Sequence, residues 1–340
     1  MEIGYQHPEF YVRKCYPQYY DSVLSLLDGK ADVVTVTGTP GIGTSLFFAY
    51  FFQRYRAQYK EAAIITACFN RKCKMEEVVV WKKGKVVGQA DDDYSVMSAL
   101  ITEMKAEVRS QVNEKELINE ILPRDKLIYL YDGPPNAIPK RAKMVCFTSP
   151  NGDWFDLLTN TPRRLKVFMP LWDLEELQMA AEEMNLTMSE SFKDTNVHHQ
   201  DGNLERSDAL TIDMVERRFN IFDGVARECL STYPNYVNNE QALIENTIAK
   251  MRNDSYLRCG YYGQWGNEPY HCIYHYVPNP DLLVRPTIAE ATPYAMRLLA
   301  QNLYLDSAER KEEIINSLKY AGGAVTFRDA FFKVDENVRV

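Results

Sequence analysis

The sequence predicts an α/β fold, a parallel sheet with a phosphate-binding loop at its C-terminal edge, followed by a helical C-terminal extension. Three observations predict it. The β-branched run Val33 to Thr37 passes directly into the glycine-rich string GTPGIGTS, which opens about four turns of apolar helix. Further hydrophobic runs of strand length recur with helical or turn-rich segments between them, as parallel strands require. After Pro170 the apolar spacing becomes helical.

The loop carries the chemistry. Gly38, Gly43 and Ser45 match the pattern G-x-x-x-x-G-K-[ST], with Thr44 at the lysine position. Small residues there let backbone N–H groups converge on phosphate oxygens at a helix N-terminus, so Gly38, Gly41, Ile42, Gly43, Thr44 and Ser45 are the candidate nucleotide contacts. Thr44 keeps this nest but cannot place an ammonium on the β- and γ-phosphates. A charge-assisted hydrogen bond contributes about 1.5–3 kcal/mol, roughly ten- to a hundred-fold in affinity. ATP binding is therefore expected to survive better than fast hydrolysis.

Downstream elements bear on the same site. KLIYLYD, Lys126 to Asp132, reads as a strand ending in the acid that, with the Ser45 hydroxyl, would hold Mg²⁺; Asp132 is also the one candidate catalytic residue. Gly133 stands where a glutamate would orient an attacking water. Lys143 to Ser149 is a further strand, whose polar tip (Thr148, Ser149 or Asn151) would either sense a γ-phosphate or serve ordinary turn chemistry. Arg163, Arg164 and Arg227 are candidate substitutes for the missing lysine, Arg227 from a lid-like helix.

Taken in order, a tyrosine-rich lead-in helix with Tyr19, Val23 and Leu26 or Leu27 on one face precedes the loop strand. Its aromatic side chains either join the core or flank a base. Ala62 to Phe69 is a second strand, and Glu77 to Gln89 a hairpin turning at Lys83-Gly84. Asp91 to Asp93 caps a helix from Tyr94 to about Val112. Arg163 to Met169 is the last core strand. Beyond it, 173–184, 214–233, 239–252, 286–305 and 308–323 read as helical, and Tyr270 to Val277 as a strand. The expected division is a core over 1–170, a helical lid-like domain over 171–258 and an α+β segment over 259–340.

Charge and composition exclude some partners. With 46% hydrophobic and 25% charged residues and a net charge of −8, the chain is globular and is not held on DNA or acidic lipid by its overall field. DNA contact would need the local hairpin, where Arg71, Lys72, Lys74, Lys82, Lys83 and Lys85 outnumber Glu76 and Glu77; a solvated edge strand guarded by lysines is the other use of such a hairpin. No run approaches the ~20 apolar residues of a membrane span, and the N-terminus lacks a signal-peptide core, so no membrane contact and an intracellular, cytoplasmic or nuclear place are expected. The odd set of 7 scattered cysteines points to reduced thiols. His198-His199 is expected in a mobile loop, and His271 and His275 with Cys259 lack a fourth ligand for zinc.

Several strings in this order resemble one family. VRKCYPQYY, VTVTGTPGIGTS, LIYLYDGPP, MVCFTSPN, MPLWDLEEL, RRFNIFDGVAR, HYVP and ATPYA look like the ATPase region shared by Crinkler effectors and retrotransposon-hot-spot proteins. The resemblance implies an ASCE-type P-loop NTPase with a helical C-terminal extension, in complete members often coupled to a nuclease domain. Crinklers are delivered into host cells and typically act in the nucleus, some through DNA or protein partners. Thr44, the missing proline in FDGVAR and the absence of a secretion header or nuclease region in the sequence depart from the family pattern. The implied function is a degenerate ATPase acting as a nucleotide-binding or regulatory module with an unidentified protein partner. The alternative is an active hydrolase coupled to nucleic-acid processing. Lys140-Arg141-Ala142-Lys143 matches a short nuclear-import pattern, or forms a basic surface turn.

Overall fold

The structure, a computed structural model, describes residues 10–70, 72–113, 117, 120–159, 161–188, 204–251, 274–279, 286–290, 292–307 and 316. They fall in two units, one drawn from 1–38, 43–169 and 278–285, the other from 39–42, 170–277 and 286–340. The paired histidines His198-His199, His271, Cys259 and Cys272, and Arg71 of the basic hairpin, lie outside the described residues.

The first unit runs α1 (Tyr16–Asp28), β1 (Val33–Thr37), α2 (Thr44–Gln58), β2 (Ala63–Phe69), β3 (Met75–Lys82), β4 (Lys85–Asp91), α3 (Tyr94–Gln111), β5 (Leu127–Asp132), β6 (Lys143–Phe147), α4 (Gly152–Thr159) and β7 (Arg164–Phe168). Its 7-stranded sheet has the order β4-β3-β2-β5-β6-β1-β7. From β2 to β7 all neighbours are parallel, and β3 and β4 add an antiparallel hairpin at the edge. Parallel strands buried on both faces explain why β1, and β6 after its first residue Lys143, are apolar or β-branched with no polar alternation.

One face of the sheet is sealed by aromatic packing. Phe47, Phe48, Phe51 and Tyr55 of α2 are buried, and the Phe47 ring lies 4.9 Å from Tyr16 and 5.8 Å from Phe147. The lead-in tyrosines belong to this core: Tyr16, Tyr19 and Tyr20 are buried, and Tyr19 donates its hydroxyl to the Phe168 carbonyl at 2.8 Å. They are thus core residues, and of the two alternatives Leu27 is the buried one. On the other face Met97, Met104 and Val108 of α3 pack with Trp154, whose indole N–H donates to Thr35 Oγ1 at 3.1 Å.

Local chemistry ends the elements as expected. Asp93 accepts from the Ser95 and Val96 N–H groups at 2.8 and 3.4 Å and caps α3. The β3–β4 turn has φ +50° at Lys83 and +69° at Gly84, the left-handed pair of a type I′ hairpin. Lys82 pairs with Glu107, and Lys83 lies 3.7 Å from Glu61, so two lysines of the basic hairpin are balanced within the unit.

Two sequence expectations fail at the N-terminal edge of the parallel strands. Arg163 donates to Asp32 at 2.7 Å, and Arg164 pairs in register with Val33, the first residue of β1. Both arginines stand at the opposite end of β1 from the loop and cannot replace its lysine. Lys143 is buried, donating to the Ala31 carbonyl at 2.6 Å and lying 3.2 Å from Asp32. With Ala142 and Lys143 both buried, the string from Lys140 is not presented as a continuous basic stretch.

The second unit contains α5 (Leu174–Glu183), α6 (Leu204–Phe222), α7 (Ala226–Cys229), α8 (Pro234–Lys250), β8 (Tyr274–Pro278), β9 (Pro286–Glu290) and α9 (Pro293–Ser307). β8 and β9 form a 2-stranded sheet. The expected helix from Pro286 therefore starts late. Thr292 is its cap, accepting the Ala295 N–H at 3.2 Å, with Pro293 at the first helical position. Pro286–Glu290 forms a strand instead.

Phe47 sits at the centre of the aromatic layer, so Phe47→Ala is expected to destabilise the chain by about 3–5 kcal/mol. A lowered urea midpoint would show this; an unchanged midpoint would mean that α2 is not anchored on the sheet.

Candidate functional site

In the first unit, β1 delivers the chain to Gly38, and α2 begins at Thr44. The Phe47 N–H donates to the Gly43 carbonyl at 3.0 Å, so the N–H groups of Thr44, Ser45 and Leu46 precede the first intrahelical bond and point out of the helix end. Gly41 and Gly43 are left-handed, at φ +92° and +94°, on either side of Ile42. Such left-handed glycines beside the positive end of a helix are the pattern of an anion nest, in which the Ile42 N–H donates to the Thr39 carbonyl at 3.4 Å.

Ser45 Oγ donates to Asp132 Oδ1 at 3.0 Å. Asp132 is the last residue of β5, in register with Cys68 of β2 and Phe147 of β6. Burial holds its carboxyl above the usual range, and the Ser45 hydrogen bond pulls in the opposite direction. The donors suit Mg²⁺, a hydroxyl and a carboxylate oxygen with the roughly 3 Å separation that adjacent ligands of an octahedral site at about 2.1 Å require. Ser45 and Asp132 would hold such an ion; among the described residues no group of three His, Cys, Asp or Glu is placed to bind another.

Gly133 follows in a left-handed conformation, φ +95°. A Cβ there would stand 2.3 Å from the Phe69 carbonyl oxygen, so the packing itself leaves no room for a glutamate beside Asp132. At the tip of β6, Thr148 is buried and donates its hydroxyl to the Ser149 carbonyl at 3.0 Å, and Asn151 accepts the Trp154 N–H at 2.9 Å. Asn151 therefore does turn chemistry, while Ser149 is exposed.

The middle of the loop, Thr39–Ile42, belongs to the second unit. The Gly41 carbonyl accepts from the Arg227 N–H at 3.0 Å, the Ile42 carbonyl from the Trp172 indole at 2.9 Å, and Thr39 Oγ1 from the Tyr276 N–H at 3.0 Å. A Cβ on Gly41 would meet Val225 Cγ1 at 2.7 Å and Glu228 Oε2 at 2.9 Å, so this position needs glycine for space as well as for its φ.

Arg227 bonds Gly41 of its own unit through its backbone N–H, and its side chain turns to an acid. Its Nε and Nη2 both lie 3.1 Å from Glu228 Oε1, which also accepts the Tyr236 hydroxyl at 2.9 Å. The Arg227 side chain is 52% exposed and that of Glu228 only 7%. Burial pushes the Glu228 carboxyl up, against the pull of Arg227 and Tyr236. Its Oε2 is buried with no hydrogen-bond partner among the described residues. Sequence reasoning missed Glu228, Trp172 and Tyr236. The only signals were an acid directly after Arg227 and a tryptophan in the string after the last core strand.

The strand order places β6 between the loop strand β1 and the acid strand β5. With the glycine nest and the Ser45–Asp132 pair, this defines a P-loop NTPase core of the ASCE type. No family model matches the sequence, and no curated protein matches it. Among solved structures, the chain is similar to Drosophila ORC bound to DNA at 15% identity, covering 72% of this chain and 59% of that one, with a TM-score of 0.35. It is also similar to a Walker-type ATPase of Pyrococcus abyssi at 11% identity, covering 71% of this chain and 75% of that one, with a TM-score of 0.35.

The raised Asp132 carboxyl fixes the sign of a pH effect. The native state binds its proton more tightly than the unfolded chain, so stability present below the unfolded value of about 3.9 is lost as pH rises through the native value. Asp132→Asn is expected to raise the urea midpoint at pH 7, with the gain vanishing below about pH 4. A gain independent of pH would show that burial does not strain this carboxylate.

Proposed function

We propose that the chain is a nucleotide-binding P-loop module that holds ATP or ADP with Mg²⁺ and acts through binding, with turnover slow or absent. The observation that carries this is the 3.0 Å Ser45–Asp132 pair beside the left-handed glycines Gly41 and Gly43. Two features oppose fast hydrolysis: Thr44 supplies no ammonium, and Gly133 stands where packing admits no side chain. In the bound state the nest N–H groups would contact phosphate, Ser45 and Asp132 would hold Mg²⁺, and Ser149, exposed two residues after β6, would be free to approach the ligand.

The finer assignment, a regulatory or interaction module of the Crinkler and hot-spot type with a protein partner, is supported by the ordered strings from VRKCYPQYY to ATPYA. A DNA role through the β3–β4 hairpin draws less support, because Lys82 and Lys83 pair with acids of the same unit.

Calorimetric titration with Mg·ATP, run beside a phosphate-release assay, tests the proposal. Binding without release is expected, and Asp132→Ala should abolish the Mg²⁺-dependent part of the affinity. Absence of binding would end the proposal; release at rates ordinary for an NTPase would favour the hydrolase instead. Thr44→Lys should tighten ATP binding by about one order of magnitude, since it restores a charge-assisted contact. An unchanged affinity would mean that the nest does not receive phosphate.

A further inference from the structure

Within the first unit, the corner where the loop enters α2 is held by a residue of the lead-in helix. The cap residue of α2 is Gly43, at φ +94°, which has no side chain to bond the first-turn N–H groups. Glycine also leaves the adjoining peptide planes freer to rotate than any other residue does. The carbonyl and N–H of one trans peptide share a plane and point opposite ways. Whatever holds the Gly43 carbonyl therefore also aims the Thr44 N–H, a donor of the nest.

The Gly43 carbonyl accepts the Phe47 N–H at 3.0 Å, the first bond of the helix itself. It also accepts the Tyr16 hydroxyl, from α1, at 3.4 Å. Tyr16 is fully buried, its ring centroid 4.9 Å from that of Phe47 and 5.4 Å from that of Tyr50. Phenylalanine would fill the same space, so packing accounts for the ring but not for the hydroxyl; a buried hydroxyl calls for an acceptor, and the loop carbonyl is one. One helical turn on, and so on the same face of α1, Tyr20 is equally buried and donates to Gln58 Oε1 at 2.8 Å. Gln58 is the last residue of α2, so the two hydroxyls reach opposite ends of that helix.

We propose that Tyr16 is a positioning residue of the phosphate nest, whose ring and hydroxyl fix the Gly43–Thr44 peptide so that the Thr44 N–H stays aimed at the bound phosphate. This rests on the nucleotide-binding reading above and adds to that site a residue from outside the loop. Without the hydroxyl, the ligand would have to order the peptide itself, and only the fraction of molecules with the plane correctly turned would be ready to bind.

Tyr16→Phe and Tyr20→Phe make the same chemical change on one helix and separate positioning from stability. In titrations of the full chain with Mg·ADP, Tyr16→Phe is expected to weaken binding about three- to tenfold, while Tyr20→Phe leaves the affinity unchanged although it too removes a buried hydrogen bond. With ¹⁵N-threonine labelling, the Thr44 amide resonance of the ligand-free protein should move in Tyr16→Phe and stay in place in Tyr20→Phe. Wild-type affinity in Tyr16→Phe, or equal losses in both variants, overturns the proposal and leaves the nucleotide-binding reading standing. If the wild type binds no nucleotide, that reading has failed, and this proposal with it.

Discussion

The contact between Ser45 Oγ and Asp132 Oδ1 depends on a constraint set by the whole sheet. Ser45 follows β1 and Asp132 ends β5, two strands that are not neighbours. They meet only because β6 pairs in parallel with both, holding their C-terminal ends level. The aromatic layer under α2 fixes the other side of the geometry, since Phe47 and Phe51 anchor the helix whose first residues form the nest. The site is thus a consequence of strand order and of packing several residues away.

That geometry separates two properties that usually travel together. Phosphate recognition needs left-handed glycines and a helix end, which Gly41, Gly43 and Thr44 provide. Catalysis of phosphoryl transfer needs placed charge and a positioned water. Those parts are displaced: the lysine is a threonine, the arginines weighed as substitutes are paired or at the far edge, and Gly133 sits against the Phe69 carbonyl. Restoring a glutamate after Asp132 would require moving β2, so that position is closed by packing as well as by sequence.

Much of the core was readable from sequence because its signals are local. The run VVTVT, the glycine string, the cap at Asp93 and the Lys83-Gly84 turn each state their conformation within a few residues. The strand at Pro286–Glu290 was read as helix because apolar spacing there is too short to show a period, and its limit is set by a cap at Thr292. Glu228 was invisible for a different reason. Its meaning comes from a glycine far away in sequence, Gly41, whose missing Cβ admits it. The same holds for Lys143, a basic residue in a basic string, which the sheet buries against Asp32.

Determination of the structure of the full chain with Mg²⁺ and ADP tests the central claim most directly. The account predicts phosphate oxygens within hydrogen-bond distance of the Gly43, Thr44 and Ser45 N–H groups, and the metal beside Ser45 Oγ and Asp132. Nucleotide bound elsewhere, or a loop in which Gly41 and Gly43 leave the left-handed region and no phosphate enters, would contradict it.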